Sequence, residues 1–256
     1  MDYFRNILTW RELIVEMAFH RLTGRYRRSI LGPFWITLGF LIFALGITTL
    51  WATLLDRPFA HFFPYVTLGI FAWNLTGGML VESSRSFAES RNLLLQCNAP
   101  TVIYPLISVL KNIMQIPNYL VVVIPVCLMF GASASLQLLW LMPGLGLLIL
   151  FSACVAVIMA YLGAFLPDLS ELVSSSLRFI FFLTPTIWTI DMRPGMPPVW
   201  LANPFYYAIE LVRGPVLGTS EPVFIFSIAF GLTVLAALIA VACVRFAGDA
   251  VKLRVE

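Results

Sequence analysis

The sequence carries little charge. Only 11% of its 256 residues are Asp, Glu, Lys or Arg, whereas 60% are hydrophobic. A soluble domain carries roughly 25% charged residues, so this chain has too few to cover a folded surface in water. The net charge of +3 is also too small to indicate a nucleic-acid partner. The composition therefore predicts an integral membrane protein, and the length suits a single membrane domain over residues 1–256.

The residue patterns of common enzyme classes are missing as well. None of the four cysteines has CxxC spacing, and we expect small buried hydrophobic side chains rather than disulfides or metal ligands. The two histidines, His20 and His61, fall on opposite sides of the predicted membrane. A phosphate-binding loop needs Gly-Lys-Ser/Thr, but neither Lys111 nor Lys252 follows a glycine. We therefore expect no catalytic residue, no metal and no cofactor in this chain.

Long apolar runs are what the sequence does contain. A bilayer needs about 20 apolar residues per helical span, and six runs qualify: residues 34–55, 64–81, 102–130, 138–166, 172–190 and 223–244. Because the first begins only after residue 33, no signal peptide is predicted. Acidic residues are almost absent from these runs, so a proton or sodium relay is not expected.

The distribution of positive charge predicts the orientation. Of the 16 Lys and Arg residues, 12 fall on the side of the N terminus, three on the opposite side, and Lys111 within the third run. By the positive-inside rule both termini are cytoplasmic. Residues 1–33 are then a cytoplasmic segment, 34–244 a region of six spans, and 245–256 a cytoplasmic tail.

The N-terminal segment predicts an amphipathic helix lying in the inner membrane interface. "TWRE" is typical of a capping box, with Thr9 as N-cap and Glu12 three residues later, and Gly24 is the predicted end. Glu12 and Glu16 share one face with His20, opposite an apolar face. Such a helix is either a passive anchor or a docking surface, and we expect its polar face to dock a partner.

The connector after the second run repeats this pattern. In "SRSFAESRNLLLQCNAP", Ser86 and Glu89 are typical of a second capping box, and Pro100 follows the predicted helix end. A helix of about three turns here is either a frayed extension of the second span or a separate cytoplasmic helix, and we expect the latter. Ser86, Glu89 and Arg91 are therefore further candidates for contact with a partner.

Residues 190–222 form a long outer segment. They are too apolar for a solvated loop and too interrupted by Pro and Gly to span the bilayer, so we expect two short re-entrant helices in the outer leaflet. Asn203 before Pro204 predicts a helix start, and Gly214-Pro215 predicts an interruption. Glu210 and Arg213, three residues apart, can neutralise each other. We expect a structural ion pair rather than a role in transport.

"RYRRSILGPFW", residues 25–35, concentrates charge at the edge of the first span. Arg25, Arg27 and Arg28 lie at the predicted inner headgroup level, where an anionic leaflet attracts them, and that topological role alone accounts for them. Guanidinium groups also bind phosphate through paired hydrogen bonds. The alternative is therefore recognition of a lipid phosphate at this edge.

These stretches resemble the membrane subunit of ABC-2 type exporters, and in particular the polysaccharide exporters of bacterial envelopes. Those exporters handle lipopolysaccharide O antigen, capsule and teichoic acid. The pattern Arg-Tyr-Arg-x-Ser-x-Leu-Gly-x-x-Trp is met by residues 25–35, and the helix after span two and the Asn-Pro at 203–204 add to the likeness. The resemblance extends over about residues 9–244.

The resemblance implies an all-α integral membrane fold and a homodimer with a pore between the copies, in the bacterial inner membrane. It also implies two partner ATPase subunits, which carry ATP and Mg²⁺ and dock on the two cytoplasmic helices. Leu31-Gly32 would narrow the cytoplasmic entrance. Aromatic side chains line the sugar path in such exporters, although aromatics at membrane edges are also ordinary anchors. The candidates here are Tyr65, Trp73, Trp188, Tyr206 and Tyr207.

The expected function is export of a lipid-linked polysaccharide, with O antigen ahead of capsule and teichoic acid. An ABC-2 exporter of a drug or small lipid is the first alternative. A channel or membrane enzyme without an ATPase is the second.

Overall fold

The computed structural model describes residues 9–24, 26–97, 99–130, 136–189 and 199–255, and every regular element within these ranges is a helix. The α-helices are α1 (Arg11–Gly24), α2 (Phe34–Leu54), α3 (Phe59–Ser84), α4 (Ser86–Glu89), α5 (Arg91–Gln96), α6 (Ile103–Ile113), α7 (Ile116–Phe130), α8 (Leu141–Phe165), α9 (Leu169–Leu183), α10 (Pro204–Leu217) and α11 (Pro222–Val255). Short 3₁₀ helices, Leu136–Trp140 and Val199–Ala202, precede α8 and α10.

Four helical segments of the described chain are long and apolar enough to cross a bilayer. They are Phe34–Leu54, Ile103–Phe130, Leu136–Phe165 and Pro222–Gly248, and they coincide with four of the six predicted spans. The predicted span 64–81 lies in α3, whereas 172–190 begins in α9 and runs seven residues past its last residue, Leu183. The 15 residues of α9 extend only about 22 Å at 1.5 Å per residue, less than the ~30 Å of a hydrocarbon core.

Helix α3 is the centre of the bundle. It contacts α2, α6, α7, α8, α9 and α10, and it is buried without interruption from Phe62 to Ala72. With 26 residues it is long enough to span, but polar positions such as Asn74 and Glu82 lower its hydropathy. A helix enclosed by other helices needs no continuous lipid-facing apolar surface, so its composition agrees with its position.

The predicted third span is one candidate span built from two helices. α6 ends at Ile113 and α7 begins at Ile116. Pro117 explains the break, because it has no N–H to donate and its ring clashes with the carbonyl of the residue four positions earlier, Ile113.

The predicted interruption at Gly214-Pro215 is wrong, because α10 continues through it to Leu217. Pro215 cannot donate to the carbonyl of Leu211, four residues earlier, which would normally weaken the helix. Gly144 of α8 faces that carbonyl so closely that an added methyl group would overlap its oxygen. Close packing of a neighbouring helix against a carbonyl freed by proline is how membrane helices tolerate this residue.

The predicted start of α10 is confirmed. Asn203 is the N-cap, and its side-chain oxygen accepts a hydrogen bond from the backbone N–H of Phe205 at 3.0 Å. Its amide donates to the hydroxyl of Thr184 at 2.7 Å, which ties the helix start to the end of α9. Pro204 occupies the first helical position, where a missing N–H costs nothing. Within the described part of the outer segment there is one α-helix, and residues 190–198 lie outside the described ranges.

The connector differs from its prediction in two ways. It forms two short helices, α4 and α5, rather than one, with Ser90 between them. Ser86 is the first residue of α4 and not its N-cap, which is Arg85, and no side-chain cap bond forms at either helix. The capping-box prediction for Ser86 and Glu89 is therefore wrong. The buried Ser86 hydroxyl has no hydrogen-bond partner in the described part of the chain.

Candidate functional site

The N-terminal helix α1 lies against α6 with its apolar face inward. Ile14 and Ala18 are buried with Ile103 and Ile107 in one hydrophobic cluster. The polar face of α1 points outward, as predicted; its exposed members are Glu12, Glu16 and His20.

The apolar surface of α1 is wider than the part that α6 covers. Val15 and Phe19, one turn apart, remain 50% and 56% exposed. A groove of about 500 Å³ runs along this side of the helix. Its lining residues are Arg11, Glu12, Val15, Glu16, Phe19 and Met114.

The connector is anchored to the bundle by one aromatic side chain. Phe87 is 2% exposed and packs with the rings of Tyr104 and Tyr161 at centroid distances of 5.7 and 5.4 Å. The other side of the connector faces outward. Its exposed residues are Ala88, Glu89, Arg91, Asn92, Leu95 and Gln96.

Arg21 of α1 joins these two elements, and sequence reasoning missed it. Its guanidinium donates to the hydroxyls of Ser90 at 2.6 Å and Ser108 at 3.2 Å. It also forms an ion pair with Glu89 at 3.4 Å. The two serines are 69 and 87 residues away along the chain, so no local pattern indicates this contact. Glu89, predicted to contact a partner, is engaged within the chain.

A second unpredicted contact neutralises Lys111. Its ammonium group is nearly buried and donates to the carboxylate of Glu82, whose other oxygen accepts from the Asn112 amide at 2.9 Å. A methyl group added at Gly78 would lie 2.6 Å from the Asn112 side-chain oxygen, so glycine makes room for the cluster. Glu82, near the C-terminal end of α3, thus explains how a lysine is accommodated in the third span.

A weaker ion pair connects the same end of α3 to α9. Arg85 donates to Glu171 at 2.6 Å. Both side chains are largely exposed, at 43% and 74%, so the pair contributes little to stability.

The turn before α2 displays both charge and apolar surface. Arg27 and Arg28 are exposed, whereas Arg25 lies outside the described residues. Gly32 has a φ of +55°, in the left-handed region that favours glycine. Leu31 beside it is 45% exposed. The structure therefore shows a tight turn with cations before it and an unburied apolar side chain at it.

Near the end of α10, Arg213 is completely buried and paired. It donates to the Glu210 carboxylate and to the carbonyl of Pro185 at 2.7 Å, and it lies 3.8 Å above the ring of Tyr65. Thr219 donates to the second oxygen of Glu210 at 3.2 Å. Burial alone lowers the pKa of Arg213, but Glu210 and Tyr65 more than offset this and raise it above its usual value. Arg213 therefore stays protonated.

The five candidate channel aromatics fall into two groups. Tyr65, Tyr206 and Tyr207 are at most 8% exposed, and the hydroxyl of Tyr207 donates to the Leu201 carbonyl at 2.8 Å. Trp73 and Trp188 are half-buried. The two tryptophans thus have free surface in a single copy, and the three tyrosines have almost none. A channel role for any of the five stays a prediction.

Comparison with known proteins adds a family and three relatives. The family model described as "ABC-2 type transporter" matches residues 7–217. Two O-antigen export system permease proteins RfbA from Klebsiella pneumoniae are each 23% identical over 184 residues, which cover 72% of this chain and 71% of the relative. The protein of the same name from Myxococcus xanthus is 24% identical over 191 residues, covering 73% and 72%.

Proposed function

The chain belongs to the ABC-2 type transporter family, and from this membership we propose that it is the permease subunit of an ATP-driven exporter of lipid-linked polysaccharide. O antigen is the first candidate, because three relatives are O-antigen export permeases, and capsule or teichoic acid follows. Two copies of the chain form the pathway in a bacterial inner membrane. Each has six spans, and both termini are cytoplasmic. One of the two less apolar spans is α3, and the other is α9 together with the residues that follow it, because α9 alone is too short to cross.

The observation that supports an external ATPase best is the paired arrangement of α1 and the connector. Both carry outward-facing charges, Glu12 and Glu16 on α1 and Arg91 on α5, and Arg21 links the two elements. A chain without a Gly-Lys-Ser/Thr loop needs such a contact surface, through which a nucleotide-hydrolysing partner can change its conformation. We assign that partner two copies, each with bound ATP and Mg²⁺.

The substrate enters at the turn before α2. A lipid-linked polysaccharide carries phosphate next to its lipid, so its recognition needs cations beside an apolar surface. Arg27 and Arg28 are exposed there, and Leu31 lies three residues further along with 45% of its surface free. Guanidinium groups hold phosphate through paired hydrogen bonds. Of the five candidate channel aromatics, Trp73 and Trp188 are the two that keep surface for stacking on sugar rings.

Purification with and without a partner tests this proposal. The chain alone should hydrolyse no ATP, and the complex with the co-purified ATPase should hydrolyse it. That complex, reconstituted into lipid vesicles, should move a lipid-linked oligosaccharide across the bilayer in an ATP-dependent way. ATP hydrolysis by the pure chain, or transport without a nucleotide-hydrolysing partner, would contradict the proposal. Transport of a drug or short-chain lipid but not of the oligosaccharide would favour the small-molecule exporter instead.

A further inference from the structure

We propose that Arg21 is a positioning residue, which holds α1 and the connector in one fixed arrangement so that they respond together to the ATPase. The inference rests on the proposed function, because it concerns how a movement of the ATPase is passed on to α1 and the connector together. It assigns Arg21 no contact with ATP, substrate or the partner.

The first step is the geometry of the guanidinium. Its nitrogens reach the Ser90 hydroxyl and the Glu89 carboxylate on the connector, and the Ser108 hydroxyl on α6. One side chain from α1 therefore binds two other elements at once. A guanidinium has five N–H donors in a planar fork and can serve several acceptors in different directions. Its side chain is only 18% exposed, so the contacts are partly shielded from water.

The second step is that α1 and helices α4 and α5 of the connector are anchored in different apolar clusters. Helix α1 packs against α6 in one cluster, which also holds the end of the connector at Cys97 and Ala99. Helices α4 and α5 pack in another cluster through Phe87, with the partly buried Leu93 and Leu94 beside it. Because their apolar anchors differ, the junction of α4 and α5 can tilt relative to α1. Arg21 opposes such independent movement, since it bonds to the residues at the junction of α4 and α5.

The third step concerns magnitude. Glu89 is 49% exposed, and an ion pair with an exposed partner contributes only about 0–1 kcal/mol to stability. The hydrophobic anchors remain when Arg21 is removed. Loss of Arg21 should therefore leave the chain folded and change the relative position of the two elements, which separates positioning from stability.

The test uses the full chain in complex with its ATPase. Three variants are compared with wild type: Arg21→Ala, Arg21→Lys and Glu89→Gln. Arg178→Ala is the matched control, because Arg178 is an exposed arginine whose side chain donates to Ser175 of its own helix. The measurements are abundance of the complex, its ATP hydrolysis, the surface polysaccharide of a strain carrying only the variant, and hydrogen–deuterium exchange of residues 86–97.

For Arg21→Ala we expect unchanged abundance, faster exchange in residues 86–97, and about fivefold less surface polysaccharide per ATP hydrolysed, which is within the range for residues that couple two sites. Arg21→Lys should recover part of this loss, because an ammonium group keeps the charge but not the fork. Glu89→Gln should have a smaller effect, since the bonds to Ser90 and Ser108 remain. Arg178→Ala should behave as wild type.

Several results would overturn the inference. Unchanged exchange in residues 86–97 would mean that Arg21 does not hold the connector. Equal loss of abundance, ATP hydrolysis and polysaccharide would mean a general structural role. If the wild-type complex hydrolyses ATP but its deletion leaves surface polysaccharide unchanged, the proposed function fails. The exchange measurement still decides whether Arg21 positions the connector in that case.

Discussion

In α10, a single arginine connects three parts of the chain. Arg213 reaches Glu210 on its own helix, the Pro185 carbonyl after α9, and the ring of Tyr65 on α3. Because every partner is buried, water cannot readily replace them as partners of Arg213. Removing one member of such a pair leaves an uncompensated charge in the interior, which is far more costly than the pair itself is favourable.

We therefore expect Arg213→Ala to destabilise the protein by about 3–5 kcal/mol. The double replacement of Glu210→Gln with Arg213→Met should recover most of that loss, because no buried charge remains. Thermal unfolding of the purified chain in detergent measures both. Arg57→Ala, at an exposed arginine in the outer loop, is the control and should leave the midpoint unchanged. A single Arg213→Ala variant as stable as wild type would contradict a structural role for the pair.

Arg27 and Arg28 are a contrasting case, because both are exposed. If they bind a lipid phosphate, Arg27→Ala or Arg28→Ala lowers export while abundance and orientation stay unchanged. Lysine should restore export only in part, since it keeps the charge and loses the paired hydrogen bonds. Surface polysaccharide and membrane abundance are measured in the same cells. Complete recovery with lysine would indicate simple electrostatic attraction, and normal export in both alanine variants would leave these arginines a purely topological role.

At the scale of elements, two glycines of α8 set how closely other helices approach. A methyl group on Gly144 would overlap the Leu211 carbonyl of α10, and one on Gly163 would overlap the Ser84 carbonyl of α3. Small residues at such crossings are typical of membrane helix packing. At Gly144 the crossing also supports the proline-containing turn of α10, so the two features depend on each other.

Gly144→Ala should therefore lower stability by about 1–3 kcal/mol, the range for overpacking a tight interface. Gly146 lies on the same helix with nothing within 4 Å of an added methyl group. Gly146→Ala should be neutral or slightly stabilising, because alanine favours the helix. The thermal midpoints of the two variants in detergent test this difference, and equal midpoints would remove Gly144 from the packing argument.

Features that depend on residues close together in the sequence could be predicted, whereas features that depend on residues far apart in the sequence could not. Four of the six predicted span positions and the polar face of α1 follow from composition and periodicity. Asn203 and the Glu210–Arg213 pair follow from local spacing. The effect of a proline on a helix cannot be predicted from composition or local spacing. Pro117 lies at a break between helices and Pro215 does not, and the close packing of Gly144 against the carbonyl freed by Pro215 involves a helix that is distant in sequence. The Arg21 contacts were missed for the same reason, since their partners are distant in sequence.

At the scale of the whole molecule, the number of crossings decides which side each connector faces. Four segments of the described chain have the length and hydropathy of a span. With six crossings, Asp56 after α2 lies outside and Glu89 in the connector lies inside. If α3 did not cross, both would lie outside.

A single cysteine at each position distinguishes the two arrangements. With the native cysteines replaced by alanine, Asp56→Cys should react with a membrane-impermeant maleimide in intact cells, since Asp56 is exposed. Glu89→Cys should react only after the membrane is permeabilised, because six crossings place it inside. Labelling of Glu89→Cys in intact cells would contradict a crossing by α3.

The enclosed position of α3 has a consequence for how the chain is synthesised. A nascent helix passes from the insertion machinery into lipid more readily when its own hydropathy is high. Helix α2 has the hydropathy of a membrane span, whereas the hydropathy of α3 is lower. The helices that cover α3 include α8 and α10, which emerge from the ribosome much later. Helix α2 can therefore enter the bilayer on its own. Helix α3 must stay in contact with α2 or with the insertion machinery until α8 and α10 have been synthesised. Its burial is completed only when residue 213 has been made and Arg213 packs over Tyr65.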